Sequence, residues 1–213
     1  MLLTDLMDYA RQQYNAVGDP LFGDVLLRNY IYDAEMALAR ESKCIRAVYT
    51  TSSVASQQEY PFPSRTIAIK RVLYGGYVVH PRSLDEVLNL TAVPAAGSGY
   101  SYIYAIWAET LYLGPIPSDV QTIKVFSFNE PSAKTANTST MDTPDRYHLD
   151  IADFLLERMC IQDKNYAGAA VHAEKWRLAI ERAKSTERKM MTGQGFSFVR
   201  DEDREFDNQL VIG

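Results

Sequence analysis

Residues 142–189 carry apolar side chains at helical spacing twice over, with a short polar break between, and so point to a helical hairpin. Thr143 is placed to cap the first helix and Pro144 to open it, where a missing amide donor does no harm. Tyr147, Ile151, Phe154, Leu155 and Met159 follow at three-and-four spacing, which sets them on one stripe. Gln162, Asp163, Lys164 and Asn165 interrupt that stripe with turn and cap formers. A second stripe then runs through Tyr166, Ala169, Ala170, Ala173, Trp176, Ile180 and Ala183, whose alanines let the backbone approach a neighbour closely. Glu174, Lys175, Arg177, Glu181, Arg182, Lys184, Glu187 and Arg188 are left for a charged outer face.

Two more helices are expected at the N-terminus. Leu3, Leu6, Met7, Ala10 and Tyr14 form a short stripe after a capping Thr4 or Asp5, stopped by Gly18-Asp19-Pro20. Asp24 is placed to cap a second helix that carries Leu27, Ile31, Ala34 and Leu38 and runs to about Ser42. At Ile45 the apolar pattern changes from helical spacing to alternation, and residues 44–130 show short β-prone runs between glycines and prolines. Gly75-Gly76, between the runs at 66–72 and 77–79, suits a two-residue hairpin turn with positive φ. Further strands are predicted at 100–107, 110–113 and 122–128, and Ser83-Leu84-Asp85-Glu86 matches a capping box that opens a short helix among them. Prolines such as Pro61, Pro81, Pro115 and Pro131 fall at the ends of β runs, where a lost donor is tolerated.

The expected fold class is therefore α+β. An antiparallel bundle of about four helices is assigned to residues 1–43 and 142–191, and an antiparallel β module, sandwich or barrel-like, is inserted at 44–130. Residues 131–141 read as a linker, and residues 192–213 as an extended C-terminal tail. A chain of 213 residues has ample length for a core, and its net charge of -5 argues against a chain-wide basic surface for nucleic acid. No apolar run approaches the roughly 20 residues of a membrane span. Asp5 and Asp8 follow the first four residues without a basic n-region, so a soluble, unsecreted chain is expected. Cys44 and Cys160, without CxxC spacing, read as buried thiols.

Catalytic groupings are scarce. His80, His148 and His172 form no HExxH pair, and His172 lies on a helix with no ligand at i+4. Gly97-Ser98-Gly99 is not a nucleophile elbow, and Gly193-Gln194-Gly195 lacks the Lys-Ser/Thr of a phosphate loop. The acids at Asp201, Glu202 and Asp203 read as a solvated charge run rather than a metal cluster. No enzyme activity, cofactor or metal is expected. The tyrosines of the β module could stack on bases, but Lys70, Arg71 and Arg82 are too few to suggest a basic groove.

The order of several short strings is more telling than any one of them. After the two N-terminal helices come Tyr49-Thr50-Thr51, then residues 54–63 (VASQQEYPFP), then Ile69-Lys70-Arg71-Val72 leading to Gly75-Gly76. Tyr102-Ile103-Tyr104, residues 111–117 (LYLGPIP), residues 126–131 (FSFNEP) and residues 144–150 (PDRYHLD) complete the series. In that order the chain resembles, over nearly its full length, the head-to-tail adaptor proteins of tailed bacteriophages. These are also called connector or head-completion proteins and include relatives of tail tubular protein A. Ser56 departs from the pattern, since the turn there is expected to carry glycine.

The resemblance implies a structural protein of the virion neck, present in the host cytoplasm during assembly. It implies a dodecameric ring under the portal protein that extends the DNA channel and offers a platform to a tail nozzle or stopper protein. Genomic DNA would pass without specific binding, and no membrane is involved. Mixed charge on the hairpin makes Glu174, Arg177, Glu181, Arg182, Lys184 and Arg188 the candidate face between subunits. Phe196, Phe198, Phe206, Leu210, Val211 and Ile212, spaced along a charged tail, are the candidate anchors on the portal or a neighbouring subunit. The alternative is a nucleic-acid-binding module using the β aromatics, and a third reading is an enzyme built from scattered acids.

Overall fold

A computed structural model describes residues 1–90 and 101–192. The chain divides into two compact units, one comprising Met1–Cys44 with Pro131–Gly213, the other Ile45–Glu130. All seven strands and one short helix fall in the second unit and the other four α-helices in the first, giving an α+β protein with five α-helices and a seven-stranded sheet among the described residues.

In the first unit, α1 (Leu3–Tyr14) buries Leu3, Leu6, Met7 and Ala10. It ends earlier than Gly18 suggests, because Asn15 takes the left-handed conformation at φ 61°, which a short polar side chain tolerates. Helix α2 (Asp24–Ser42) buries Leu27, Ile31, Ala34, Leu38 and Ala39 on one face, together with the carboxylate of Glu35. Here Asp24 is the first helical residue rather than the cap; its carboxylate takes the guanidinium of Arg11 instead. Helix α4 (His148–Gln162) and helix α5 (Tyr166–Thr192) are joined by three residues and pack along each other, with α1 and α2 against α4.

The expected Thr143-Pro144 start of the hairpin is corrected by the structure. Residues Asp145–Tyr147 form a single 3-10 turn and the α-helix begins at His148. Thr143 does not act as the cap; its amide and hydroxyl both donate to Glu35, which holds the side chain against α2. The second stripe is also shifted. Ala169, Trp176, Ala179 and Ala183 are buried on α5, whereas Tyr166 and Ala170 are exposed. Glu187, read as part of the outer face, is fully buried, since it follows Trp176, Ala179 and Ala183 at helical spacing.

In the second unit the strand order is β1-β7-β3-β4-β5-β6-β2. The strands are β1 (Arg46–Ser52), β2 (Glu59–Pro61), β3 (Thr66–Tyr74), β4 (Tyr77–Pro81), β5 (Ile103–Trp107), β6 (Thr110–Gly114) and β7 (Thr122–Asn129). The sheet is mixed rather than purely antiparallel, because β4 and β5 run parallel, pairing His80 with Ile103. A parallel pair needs a crossover, and α3 (Leu84–Asn89) lies in that connection. The sheet curls around a core of Tyr60, Val72, Tyr74, Val79, Tyr104, Leu111, Leu113, Ile123 and Val125, contributed by six strands. Val87 of α3 packs with Ile103 and Ala105 in a second, smaller cluster.

Several local sequence signals of this unit are realised. Gly75 and Gly76 turn β3 into β4 at φ 55° and 91°, with Tyr74 opposite Tyr77. Ser83 accepts from the Glu86 amide while the Glu86 carboxylate accepts from the Ser83 amide, the reciprocal capping box. Ser56, where glycine was expected, is held at φ 66°, so the turn keeps the glycine-like conformation with a serine in place.

Candidate interaction surfaces

Two buried polar anchors hold the helical hairpin and the segment before it. Glu35 Oε1 accepts from the amides of Asp142 and Thr143, at 2.7 and 3.0 Å, and from the Thr143 hydroxyl at 3.1 Å. Glu35 Oε2 lies 3.2 Å from Lys134 Nζ as an ion pair, without a hydrogen bond of good angle. Lys134 also donates to the Thr140 carbonyl at 3.0 Å and lies 3.3 Å from Asp142. Burial raises the Asp142 carboxyl, but hydrogen bonds from Ser132 and the charge of Lys134 outweigh it and hold the group below its ordinary value. Residues 131–141, rich in serine, threonine and asparagine, are thereby tied to α2. Their ends are pinned further where Leu3 N–H donates to the Ser139 carbonyl and Thr4 to that of Asn137.

The second anchor is Glu187, which accepts from the Tyr147 hydroxyl at 2.8 Å and pairs with the Arg146 guanidinium. Burial, with this carboxylate beside it, pushes the Tyr147 phenol up to about 12, so it stays a neutral donor. The anchor fixes the start of the hairpin to the last turns of α5.

On the outer side of α5 the charged residues of the expected subunit face are engaged with one another or with adjacent helices. Arg177 and Glu174 form a two-point pair at 2.7 and 2.8 Å. Lys184 lies 2.7 Å from Glu41 and 3.1 Å from Glu181, and Arg182 is 3.1 Å from Asp150 on α4. Arg188 is exposed beyond them. Exposed apolar side chains share this helix, notably Val171 and Leu178, which the charge-based reading passed over. His172 is accounted for by Asp153, at 2.9 Å.

A different surface emerges on the β unit. Residues 46, 48 and 50 of β1, 124, 126 and 128 of β7, and 71 and 73 of β3 share one face by register, opposite the face that buries Val125 and Tyr49. A register shift between Ile69 and Arg71 leaves Lys70 and Arg71 both exposed in succession, as an extra residue in a strand does. Arg46, Lys70, Arg71 and Lys124 thus surround Val48 and the half-buried ring of Phe126. The strands β1, β3, β4 and β7 contain no aspartate or glutamate at all. Sequence reasoning saw only the adjacent Lys70-Arg71; the other two cations are distant in the chain and are brought in by strand pairing.

The tyrosines that the nucleic-acid alternative relied on are divided: Tyr77 and Tyr102 are exposed, Tyr49 and Tyr112 half-buried, and three are spent in the core. Tyr60, Tyr74 and Tyr104 are buried, and the Tyr60 hydroxyl donates to the Gln57 carbonyl at 2.7 Å. The candidate anchors Phe196, Phe198, Phe206, Leu210, Val211 and Ile212 lie outside the described residues. Among the described residues, no group of three His, Cys, Asp or Glu side chains could hold a metal ion, and no helix is long and apolar enough to cross a membrane.

A family model, that of the SU10 adaptor protein, matches residues 1–196 and so spans both units. No curated protein gives a significant match.

Proposed function

We propose, from the premise that the chain belongs to the SU10 adaptor protein family of phage head-tail adaptors, that it forms the ring joining the portal vertex to the tail and extending the DNA channel. The observation that carries this reading is the family match across residues 1–196, which covers the helical and the β unit together. In this reading the helical unit is an antiparallel bundle, the β unit a barrel-like insertion, and the two offer separate faces to portal and to a tail nozzle or stopper protein. The ring is a dodecamer in the virion neck, and DNA slides through without specific binding. The protein acts as a scaffold, without enzymatic turnover or cofactor. Glu174, Arg177, Glu181, Arg182, Lys184 and Arg188 form the lateral contact, and residues 192–213 form a docking tail anchored through Phe196, Phe198, Phe206, Leu210, Val211 and Ile212.

Two features support a structural role. Internal side-chain networks at Glu35 and Glu187 stiffen the helical unit rather than forming an open polar cleft. Tyr60, Tyr74 and Tyr104 supply core packing, which leaves few tyrosines for a stacking platform and disfavours the nucleic-acid module. Electron microscopy of the purified protein mixed with the portal protein tests the proposal. A ring seated on the portal is the expected result, and particles in which the protein never joins the portal would overturn it.

A further inference from the structure

The β unit carries two exposed faces of opposite character. On β1, β7 and β3, Val48, Phe126 and Arg71 share one row across the sheet, and Thr50, Lys124 and Leu73 share the next. Val48 is 57% exposed, and the side chains of Lys70, Arg71 and Lys124 have no ion-pair or hydrogen-bond partner among the described residues. A recess of about 290 Å³ opens beside Lys70, lined by Val48, Phe126 and Phe128. The strands of this half carry cations and no acids.

The other half of the sheet is its inverse. On β5, β6 and β2, Trp107, Thr110 and Pro61 share one row, and Ala105, Tyr112 and Glu59 share the next. Trp107 is 64% exposed and is the largest exposed apolar side chain of the unit among the described residues. It stands where β5 turns into β6 through Ala108 and Glu109, both left-handed, at φ 45° and 60°, with no glycine to ease them. Such backbone is costly and persists where its surroundings hold it; here Phe62 N–H donates to the Glu109 carbonyl at 2.9 Å. These three strands and the turn contain two glutamates, Glu59 and Glu109, and no lysine or arginine. Both glutamates are exposed, and neither carboxylate has an ion-pair partner among the described residues. Both halves of the sheet contribute to one core inside the curl, so the basic recess and the acidic aromatic tip lie on its outside and look away from each other.

We propose that Trp107 of one copy seats in the Val48–Phe126 recess of the next, with Glu59 and Glu109 against Lys70, Arg71 and Lys124. The indole gains an apolar floor and cations at its rim, which its ring face attracts, and a buried tryptophan is a residue type that dominates protein contacts. Tip and recess lie on different sides of the unit, so the contact is head-to-tail and repeats from copy to copy, as a ring requires. Two basic faces would repel each other, which opposes a symmetric pair through the recess. This deepens the ring reading, on which it rests, and adds a contact between β units to that of α5. Duplex DNA is the competing occupant of the basic face and fits it less well, because phosphates need a track of cations rather than an apolar recess, and the net charge of -5 opposes DNA at longer range.

Sedimentation of the full-length protein and its charge-swapped variants tests the inference. Lys70→Glu with Arg71→Glu makes the recess acidic, and Glu59→Lys with Glu109→Lys makes the tip basic; all four positions are exposed, and urea unfolding should show unchanged stability. Each double variant alone should self-associate at least about ten-fold more weakly than wild type. An equimolar mixture should regain association, because each acidic recess then meets a basic tip and each basic recess an acidic one. Trp107→Ala should weaken association about 30-fold. A mixture no stronger than its separate components, a Trp107→Ala variant that associates as wild type does, or a wild-type chain that sediments only as a monomer would each overturn the proposal. Duplex DNA binding that Lys70→Glu and Arg71→Glu abolish, with self-association unchanged, would assign the face to DNA and equally overturn it. Failure here leaves binding to the portal protein intact, whereas failure of the adaptor reading removes it.

Discussion

Removing the carboxylate of Glu35 should be among the most damaging single changes in the helical unit. Glu35→Ala deletes the acceptor of three hydrogen bonds, leaving the amides of Asp142 and Thr143 and the Thr143 hydroxyl without it. It also takes one counter-ion from Lys134, whose side chain is 2% exposed, leaving Asp142 at 3.3 Å as the other. Orphaned buried donors cost about 1 kcal/mol or more each, and breaking a buried ion pair from one side costs about 3–5 kcal/mol in all. These overlap, so a loss of about 4 kcal/mol is expected. In urea, with a slope of about 2 kcal/mol per molar, the unfolding midpoint should fall by about 2 M. Glu35→Gln keeps an acceptor oxygen and loses the charge, and should cost about half as much. Adding Lys134→Met to Glu35→Ala removes the under-compensated cation, so the double variant should be more stable than the sum of the singles by about 1–2 kcal/mol. A Glu35→Ala midpoint within about 0.3 M of the wild type, or strict additivity with Lys134→Met, would refute the reasoning.

Asp142 titrates below its ordinary value of 3.8 in the folded protein, so its stabilisation is present above that pH and lost as pH falls through the lower folded value. Asp142→Asn should therefore flatten the acid limb of the stability profile below about pH 4, measured by urea unfolding across pH, and an unchanged limb would contradict this. Asn165 Oδ1 accepts from the Gly168 amide at 3.0 Å at the start of α5, so Asn165→Ala should cost about 1 kcal/mol in the same assay. If the α5 charges make lateral contacts, sedimentation should show the ring weakening between low salt and about 0.5 M salt, and an unchanged assembly would assign the contact to apolar residues such as Val171 and Leu178.

What could be read from the sequence was local. The Gly75-Gly76 turn, the Ser83–Glu86 box and the break between α4 and α5 are set by residues within a few positions of one another, and each is realised as read. What escaped was decided by partners distant in the chain. Thr143 has the chemistry of a cap, but its hydroxyl is drawn to Glu35, a partner 108 positions away, and the α-helix begins later, at His148. Glu187 continues the spacing of Trp176, Ala179 and Ala183, but a charged side chain among charged neighbours reads as exposed until Tyr147 and Arg146 are brought to it as partners. Alternating strands do not name their neighbours, which hid the parallel β4–β5 pair. The basic face needed both strand pairing, to join residues 46, 70 and 124, and an irregularity in β3 to turn two successive side chains the same way.

The central claim, that this protein joins phage head to tail, is tested most directly by phage assembly without it. Cells infected with a phage lacking the gene should accumulate DNA-filled heads and separate tails, and adding the purified protein to that lysate should restore infectious particles. Complete, infectious particles assembled in its absence would contradict the claim.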